Sequence, residues 1–157
     1  MARRRWLSLL MRGVPLATLA WLAPWARAAL PGWARDWDGA AFSAKGEAAV
    51  LAALGWPGPL HEDVRLELEV PEINESGAVV PVRVRSRLPG TRSIALLALD
   101  NPNTLAACFE FGPGLVPAVA TRIKLAGTTT VLALARTDAG VHAARRLAKV
   151  TQGGCGG

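Results

Sequence analysis

The sequence contains no tyrosine, two cysteines and two histidines, which is little material for catalysis. Neither His61 nor His142 has a second histidine, a cysteine or a carboxylate pair at metal-ligand spacing. The sequence also lacks a phosphate-binding loop, a Gly-x-Ser-x-Gly nucleophile motif and a His-Glu-x-x-His zinc motif. Because these residues offer no base–nucleophile pair and no metal cluster, we predict a protein that is not an enzyme and has no metal or cofactor.

The first 28 residues have the composition of an export signal. They hold five arginines and no acidic residue, and residues 14–26 form an apolar stretch. The triplet that ends at Ala28 matches the small-x-small pattern, which predicts cleavage after Ala28. Arg4 and Arg5, followed by bulky apolar residues, resemble a twin-arginine signal, with ordinary secretion as the alternative route. The stretch is shorter than the about 20 residues of a membrane span, so we expect no stable membrane insertion. Because the leader directs export, we expect the protein in the periplasm.

The positive charge of the chain is concentrated in this leader. The whole sequence has 18 basic and 12 acidic residues, and removal of residues 1–28 leaves 13 basic against 12 acidic. The remainder has no cluster of lysine and arginine with interleaved aromatic residues. The high isoelectric point is therefore no sign of a nucleic-acid ligand, and we predict that the protein binds none.

Residues 29–152 are enough for one domain with one hydrophobic core. Residues 36–54 have apolar side chains at helical spacing, so we predict one N-terminal helix that covers an edge or an end of the fold. The Gly-Trp-Pro-Gly-Pro run at residues 55–59 ends this helix. Three tryptophans flank the helix and are expected in the core, with an exposed docking patch as the alternative: Trp33, Trp37 and Trp56.

From residue 64 onward the apolar period changes to two, which is typical of half-buried strands. Seven strands are predicted, at residues 64–70, 80–87, 93–99, 105–111, 118–125, 129–136 and 141–150. If the first two pair as antiparallel neighbours, their glutamates face their arginines, on either a solvated sheet face or a docking face. Seven short strands between turns rich in glycine, proline and asparagine predict a mainly β chain, folded as an immunoglobulin-like antiparallel β-sandwich.

Cys108 lies in the apolar part of one predicted strand. We expect a buried free thiol that packs like a small hydrophobic side chain. A disulfide to Cys155 or to another protein is the alternative in an oxidising compartment.

The sequence ends in Gly153-Gly154-Cys155-Gly156-Gly157, and we expect residues 153–157 to form a flexible arm. Within five residues of Cys155 there is no histidine, acidic side chain or arginine that could activate the thiol. The arm can extend roughly 17 Å from Val150, at about 3.4 Å per residue, which suffices to enter a cleft in another protein. An accessible thiol without an activating partner indicates a carrier, to which other proteins supply the catalytic groups.

The run of residues 150–157 resembles the C-terminal signature of the SoxY family, the sulfur-carrying subunits of the bacterial thiosulfate-oxidising (Sox) system. The body is similar to that family as well, in the segments at residues 70–73, 74–81, 88–90, 101–103, 109–114 and 121–124. The resemblance implies covalent attachment of sulfur to Cys155, with four glycines as the arm: Gly153, Gly154, Gly156 and Gly157.

The resemblance also implies partners and bound intermediates. A SoxY subunit forms a complex with SoxZ, a second small β-sandwich subunit. The c-type cytochrome SoxAX conjugates thiosulfate to the cysteine as an S-thiosulfonate, and the metal-dependent hydrolase SoxB releases sulfate and leaves a persulfide. In some organisms the molybdenum–haem enzyme SoxCD then oxidises the sulfane sulfur. Cys108 departs from the family, in which we expect a small residue without a thiol there.

A secreted immunoglobulin-like interaction module is the rival hypothesis. In that case Cys155 forms an intermolecular disulfide and carries no sulfur adduct.

Overall fold

The computed structural model describes residues 39–56 and 58–151, which contain two helices and nine strands. The helices are α1 (Gly39–Ser43) and α2 (Glu47–Ala53). The strands are β1 (Leu60–Glu62), β2 (Leu66–Glu69), β3 (Ile73–Asn74), β4 (Val80–Ser86), β5 (Ser93–Ala98), β6 (Leu105–Glu110), β7 (Ala118–Ile123), β8 (Thr129–Thr137) and β9 (Gly140–Val150). The predicted leader, Trp33, Trp37 and the predicted arm lie outside the described residues. None of the described helices is long and apolar enough to cross a membrane.

Two sheets pack face to face, and the predicted immunoglobulin-like sandwich is confirmed. The larger sheet has the order β1-β9-β8-β5-β6, with β3 also paired to β9, and the smaller sheet has the order β2-β4-β7. All seven predicted strands are present, with ends that differ from the predicted ones by no more than two residues. A tight hairpin joins β8 and β9, since Thr137 pairs with Gly140 across a two-residue connection.

The sandwich is not purely antiparallel, which corrects the prediction. Strands β1 and β3 were not predicted, and both run parallel to β9. Neighbouring strands joined by a tight turn must be antiparallel, whereas strands far apart in sequence can approach from the same direction. Each of the two is only two or three residues long, too short for a period of two to be visible in the sequence.

The main core lies between the two sheets. Strands β2 and β4 of the smaller sheet bury the alternate residues that the period of two predicts, and β5 and β8 of the larger sheet face them. The fully buried side chains of this core with the largest volumes are Ile94, Leu96, Val80, Val82 and Val131. Every residue of β5 is buried, because its two faces contact two different cores.

The second core lies between the helices and the opposite face of the larger sheet. Ala41, Val50 and Trp56 pack there against alternate residues of β5, β8 and β9. The helices therefore cover a sheet face, and the expectation that they cover an edge or an end is wrong. Trp56 is a core residue, as predicted, with 4% of its surface exposed.

The prediction of one continuous helix is also wrong, because residues 44–46 separate two short helices, α1 and α2. Gly46 lies in the break with a φ of 82°, a left-handed conformation that residues with a Cβ avoid. Its N–H donates to Oγ1 of the buried Thr104 at 2.8 Å, which ties the break to the segment before β6. Periodicity along the helix cannot report this long-range contact.

The first long strand begins at Leu66 and not at residue 64, because a polar turn precedes it. The Asp63 carboxylate accepts hydrogen bonds from the backbone N–H of Arg65 at 2.9 Å and from its guanidinium at 2.8 and 3.0 Å. This Asx-type turn leaves Val64 at its tip, 95% exposed.

The outer face of the smaller sheet carries the predicted charges, because β2 and β4 pair as antiparallel neighbours. Glu67 pairs with Arg87 at 2.6 Å, and Glu69 contacts Arg83 at 3.9 Å. These side chains are mostly exposed, so each pair contributes little to stability. The two strands are antiparallel neighbours whose glutamates face their arginines, as expected.

We expect Gly46→Ala to lower the free energy of unfolding by about 1 kcal/mol, because alanine must adopt the left-handed backbone conformation. Gly127→Ala is the matched control, since it also adds a Cβ into open space but at a position without a positive φ. The control should change stability by no more than about 0.5 kcal/mol. Urea denaturation measures both variants, and equal midpoints would contradict the assignment of strain to Gly46.

The hydrogen bonds from Arg65 hold the pKa of the Asp63 carboxyl well below its usual range. A depressed pKa in the folded state stabilises the fold above the unfolded pKa of about 3.9, and this stabilisation is lost as the pH falls through the folded value. We therefore expect Asp63→Asn to destabilise the fold at pH 7, with a difference from the wild type that shrinks below pH 4.

Unfolding in urea at pH 7, 5 and 3 tests this pH dependence. Asp138→Asn is the control, since Asp138 pairs with Arg92 at 2.7 Å and both side chains are mostly exposed. A gap between the wild type and Asp63→Asn that stays constant across these pH values would contradict the role of the ionised carboxylate.

Candidate functional site at the end of strand β9

The predicted site residues, Cys155 and its four flanking glycines, lie outside the described residues. The structure describes the part of the sandwich that directly precedes them in sequence. This part is the end of β9 together with Thr151, and we call residues 149–151 the root.

Strand β9 brings the chain to the root from inside the larger sheet. It pairs with β8 from Gly140, opposite Thr137, to Ala148, opposite Thr129. Residues 149–151 continue beyond the last of these pairs. The root is therefore an overhang, whose backbone hydrogen bonds must go to groups other than β8.

The root finds its partners in residues 72–74 and in one hydroxyl group. The N–H of Lys149 donates to the carbonyl oxygen of Glu72 at 2.7 Å, and the N–H of Thr151 donates to that of Asn74 at 2.9 Å. The N–H of Val150, on the opposite edge, donates to Oγ1 of Thr128 at 3.1 Å. All three backbone donors of the root are thus satisfied.

A surface ion pair flanks the same contact. Nζ of Lys149 lies 2.8 Å from Oε1 of Glu72, and this hydrogen bond lowers the pKa of the Glu72 carboxyl. Both side chains are largely exposed, so solvent screens the attraction and the backbone hydrogen bonds contribute more to the contact.

Cys108, the other thiol, lies on β6 at the edge of the larger sheet, opposite Ala95. It is only half-buried, which corrects the expectation of full burial, because one side of an edge strand has no neighbour. It packs against the core beneath the helices. Burial, and then the negative charge of Glu110, raise the pKa of its thiol to about 11. At neutral pH Cys108 is therefore a poor nucleophile.

The sequence suggested two isolated histidines, but the structure brings them together. His61 and His142 lie opposite each other on β1 and β9, with ring centroids 6.2 Å apart. Nδ1 of His142 is 3.2 Å from Oδ2 of Asp63, although the two are not aligned as a hydrogen bond. Among residues 39–56 and 58–151, no group of three or more His, Cys, Asp or Glu side chains is arranged to hold a metal ion.

An open cleft of about 740 Å³ lies at the other end of β8 and β9, between residues 88–93 and the connection from β6 to β7. Its charged pair, Arg92 and Asp138, is joined at 2.7 Å. The lining also holds a second arginine, Arg136, and a second acidic residue, Glu110, so the formal charges of the cleft balance and do not favour an anion.

Sequence reasoning missed both the contacts of the root and the pairing of the histidines. Each depends on a short parallel strand, β3 or β1, whose partner on β9 is about 75 or more residues away in the chain. The only signal in the sequence was the likeness of residues 70–81 to a known family, to which no structural role could be attached.

Comparison with known proteins identifies the relatives of this chain. A family profile described as "Sulfur oxidation protein SoxY" matches residues 51–155. The solved structure of the sulfur carrier protein SoxY from Chlorobium limicola f thiosulfatophilum is similar at a TM-score of 0.60, with 31% identity, and the match covers 66% of this chain and 94% of that chain. The superoxide reductase (neelaredoxin) from Ignicoccus hospitalis is less similar, at a TM-score of 0.49 and 23% identity, with coverage of 55% and 80%. The search of curated proteins found no match.

The family match covers more than half of the chain and runs through Cys155. The solved SoxY structure has a similar fold. The chain therefore belongs to the SoxY family of sulfur oxidation proteins.

Proposed function

We propose that this protein carries sulfur covalently on Cys155 and presents it to other proteins of sulfur oxidation. Membership of the SoxY family and likeness to a sulfur carrier protein support the carrier role. The proposal depends above all on the family match through Cys155, which follows the root by only four residues.

The first proposed step joins thiosulfate to the carrier. The Cys155 thiol loses its proton, and the thiol and thiosulfate together lose two electrons as a sulfur–sulfur bond forms. The product is an S-thiosulfonate on Cys155. The c-type cytochrome SoxAX is the proposed catalyst, and it passes both electrons to an electron acceptor. Cys155 has no neighbouring base in the sequence, so the partner supplies the group that takes the proton.

The later steps return the carrier to its starting state. SoxB hydrolyses the bond between the sulfane sulfur and the sulfonate group, which consumes one water and releases sulfate and a proton. A persulfide remains on Cys155. SoxCD, where an organism has it, passes six electrons from the sulfane sulfur to an electron acceptor, while three waters supply the oxygen atoms and seven protons are released. A further hydrolysis then releases sulfate and restores the thiol.

The proposed division of labour assigns all bond-breaking groups to the partners. This chain acts as a carrier subunit and not as an enzyme, with residues 153–157 as the arm that enters each partner. Glycine side chains add no bulk around the cysteine, so several narrow active sites can accept the same segment. SoxZ is the proposed stable partner of residues 29–152.

The proposed location is the periplasm. Residues 1–28 act as a cleaved signal that directs export of the chain by the twin-arginine route. An oxidising compartment makes a second thiol a hazard, since two thiols can form a disulfide. Cys108 avoids this hazard because its raised pKa keeps it protonated at neutral pH.

We expect Cys155→Ser to abolish sulfur loading and to leave the fold unchanged. The measurement is intact-protein mass spectrometry after incubation of the reduced protein with thiosulfate, SoxAX and an oxidised electron acceptor. The wild type and the matched control Cys108→Ser should gain a reductant-labile thiosulfate-derived mass. A loaded Cys155→Ser variant would refute the proposal, and a wild type with only a protein–protein disulfide would favour the interaction module.

We expect Cys108 to react with iodoacetamide at least about tenfold more slowly than Cys155 at pH 8. A thiol with a pKa of about 11 is roughly 0.1% thiolate there, against about a quarter for a thiol with a pKa of about 8.5, and higher intrinsic reactivity offsets only part of this. From pH 8 to 10 the Cys108 rate should rise nearly tenfold per unit, as its thiolate fraction does.

The two single-cysteine variants, Cys155→Ser and Cys108→Ser, isolate the two rates. Rates that match at pH 8, or a Cys108 rate that levels off below pH 10, would contradict the raised pKa of Cys108.

A further inference from the structure

The root is held by a segment of the chain that precedes it by about 75 residues. This segment, residues 71–77, contains β3 and leads into β4, and we call it the brace. It forms no large element of its own. It forms hydrogen bonds with the root, within itself and with the loop before β8.

The brace supplies most of the hydrogen bonds that β8 cannot reach. Of the three backbone N–H groups of the root, those of Lys149 and Thr151 donate to brace carbonyl oxygens, at 2.7 and 2.9 Å. The hydroxyl of Thr151 donates to the same Asn74 oxygen at 3.3 Å. Without the brace these groups would face water, and the strand would lose its order from Ala148 onward.

Asn74 is the residue on which the brace depends. It is buried, with 8% of its surface exposed, which is unusual for an asparagine. Its side-chain N–H₂ donates to the carbonyl oxygen of Pro71 at 2.9 Å, which closes the brace on itself, and points to that of Lys149 at 3.5 Å. Its backbone carbonyl oxygen accepts hydrogen bonds from the N–H and the hydroxyl of Thr151. One residue therefore shapes the brace and holds the root.

The far end of the brace is fixed to the sandwich. The N–H of Leu125 donates to the carbonyl oxygen of Gly77 at 2.7 Å. A Cβ at Gly77 would collide with the carbonyl oxygen of Leu125, so the close approach of the two backbones requires glycine. Because Leu125 belongs to the main core, the brace cannot shift without disturbing that core.

We propose that the brace, with Asn74 as its positioning residue, sets the place from which Cys155 is delivered to the enzymes that act on it. The inference rests on the proposed function only for the identity of the delivered thiol. With the root held, the four-residue tether from Thr151 to Cys155 can span at most about 14 Å, at about 3.5 Å per residue. With the root detached back to Ala148, seven residues form the tether and the limit rises to about 25 Å.

A longer tether lowers the concentration of the thiol at any fixed target. If this concentration falls as the −3/2 power of tether length, the change from four to seven residues costs about a factor of two. A detached root also no longer fixes the direction in which the chain leaves the sandwich, which lowers the concentration of the thiol at the target further. Delivery to an enzyme is therefore impaired, while the intrinsic reactivity of the thiol is unchanged.

The test compares Asn74→Ala with Thr137→Ala. Thr137 is an equally buried polar residue at the end of β8, opposite the start of β9 and far from the root. Its hydroxyl donates to the carbonyl oxygen of Gly140 and accepts from the N–H of Ala139, both at 3.1 Å. In Asn74→Ala we expect amide hydrogen exchange of Lys149 and Thr151 to accelerate at least tenfold. In Thr137→Ala these two amides should keep the wild-type rates.

The second readout is delivery of the thiol. With thiosulfate and SoxAX, kcat/KM for loading of Asn74→Ala should fall at least twofold, while its alkylation rate with iodoacetamide stays at the wild-type value. Unchanged exchange at the root, equal losses in both variants, or an unchanged kcat/KM despite faster exchange would each overturn the role of Asn74. A lack of loading in every form, including the wild type, would overturn the carrier function and leave the exchange result to decide on the brace.

A second variant covers the case in which Asn74→Ala does not fold. Thr128→Val removes the acceptor of the Val150 N–H from an exposed position and leaves the brace intact. It should accelerate exchange of Val150 and lower kcat/KM in the same direction. Loading at the wild-type kcat/KM with a loosened root would show that the position of the root is irrelevant to delivery.

Discussion

Strand β9 has hydrogen-bonding groups on two edges along its whole length, and the rest of the structure depends on how they are satisfied. Strand β8 covers one edge from Gly140 to Ala148, while β1 and β3 cover parts of the other. Its side chains divide between both cores, with Ala144 between the sheets and Ala143 beneath the helices. The strand that precedes Cys155 is thus tied to every layer of the fold, and it gives the C-terminal segment a rigid base.

The chemistry of the chain follows from where its few reactive groups lie. Cys108 packs against the core beneath the helices, and its raised pKa keeps it protonated at neutral pH. Cys155 has glycine neighbours and no activating group in sequence, which suits a thiol that other proteins activate. The histidines and Asp63 lie where β1 pairs with β9 in the larger sheet. His61 is opposite His142 in this pairing, and His142 lies beside the Asp63 carboxylate. A carrier of this kind needs one reactive thiol and a body that adds no second one.

Much of the fold could be predicted from residue patterns. Alternation at Leu66 and Leu68, and at Val80, Val82 and Val84, identified β2 and β4, because a half-buried strand requires it. The break at Gly46 could not be predicted, since the contact with Thr104 that it serves is 58 residues away. The half-burial of Cys108 could not be predicted either, because an apolar sequence does not distinguish an edge strand from a central one.

The sequence by itself determined the family, the sandwich and the candidate cysteine, because hydrophobic period and a terminal Gly-Cys motif are local properties of the chain. Only the tertiary structure decided that β1 and β3 run parallel to β9, that the helices cover a sheet face, and that Asn74 holds the root. These features arise between residues about 40 to 100 positions apart, where pairing is selected by the shape of the folded core and by backbone groups that carry no side-chain signature.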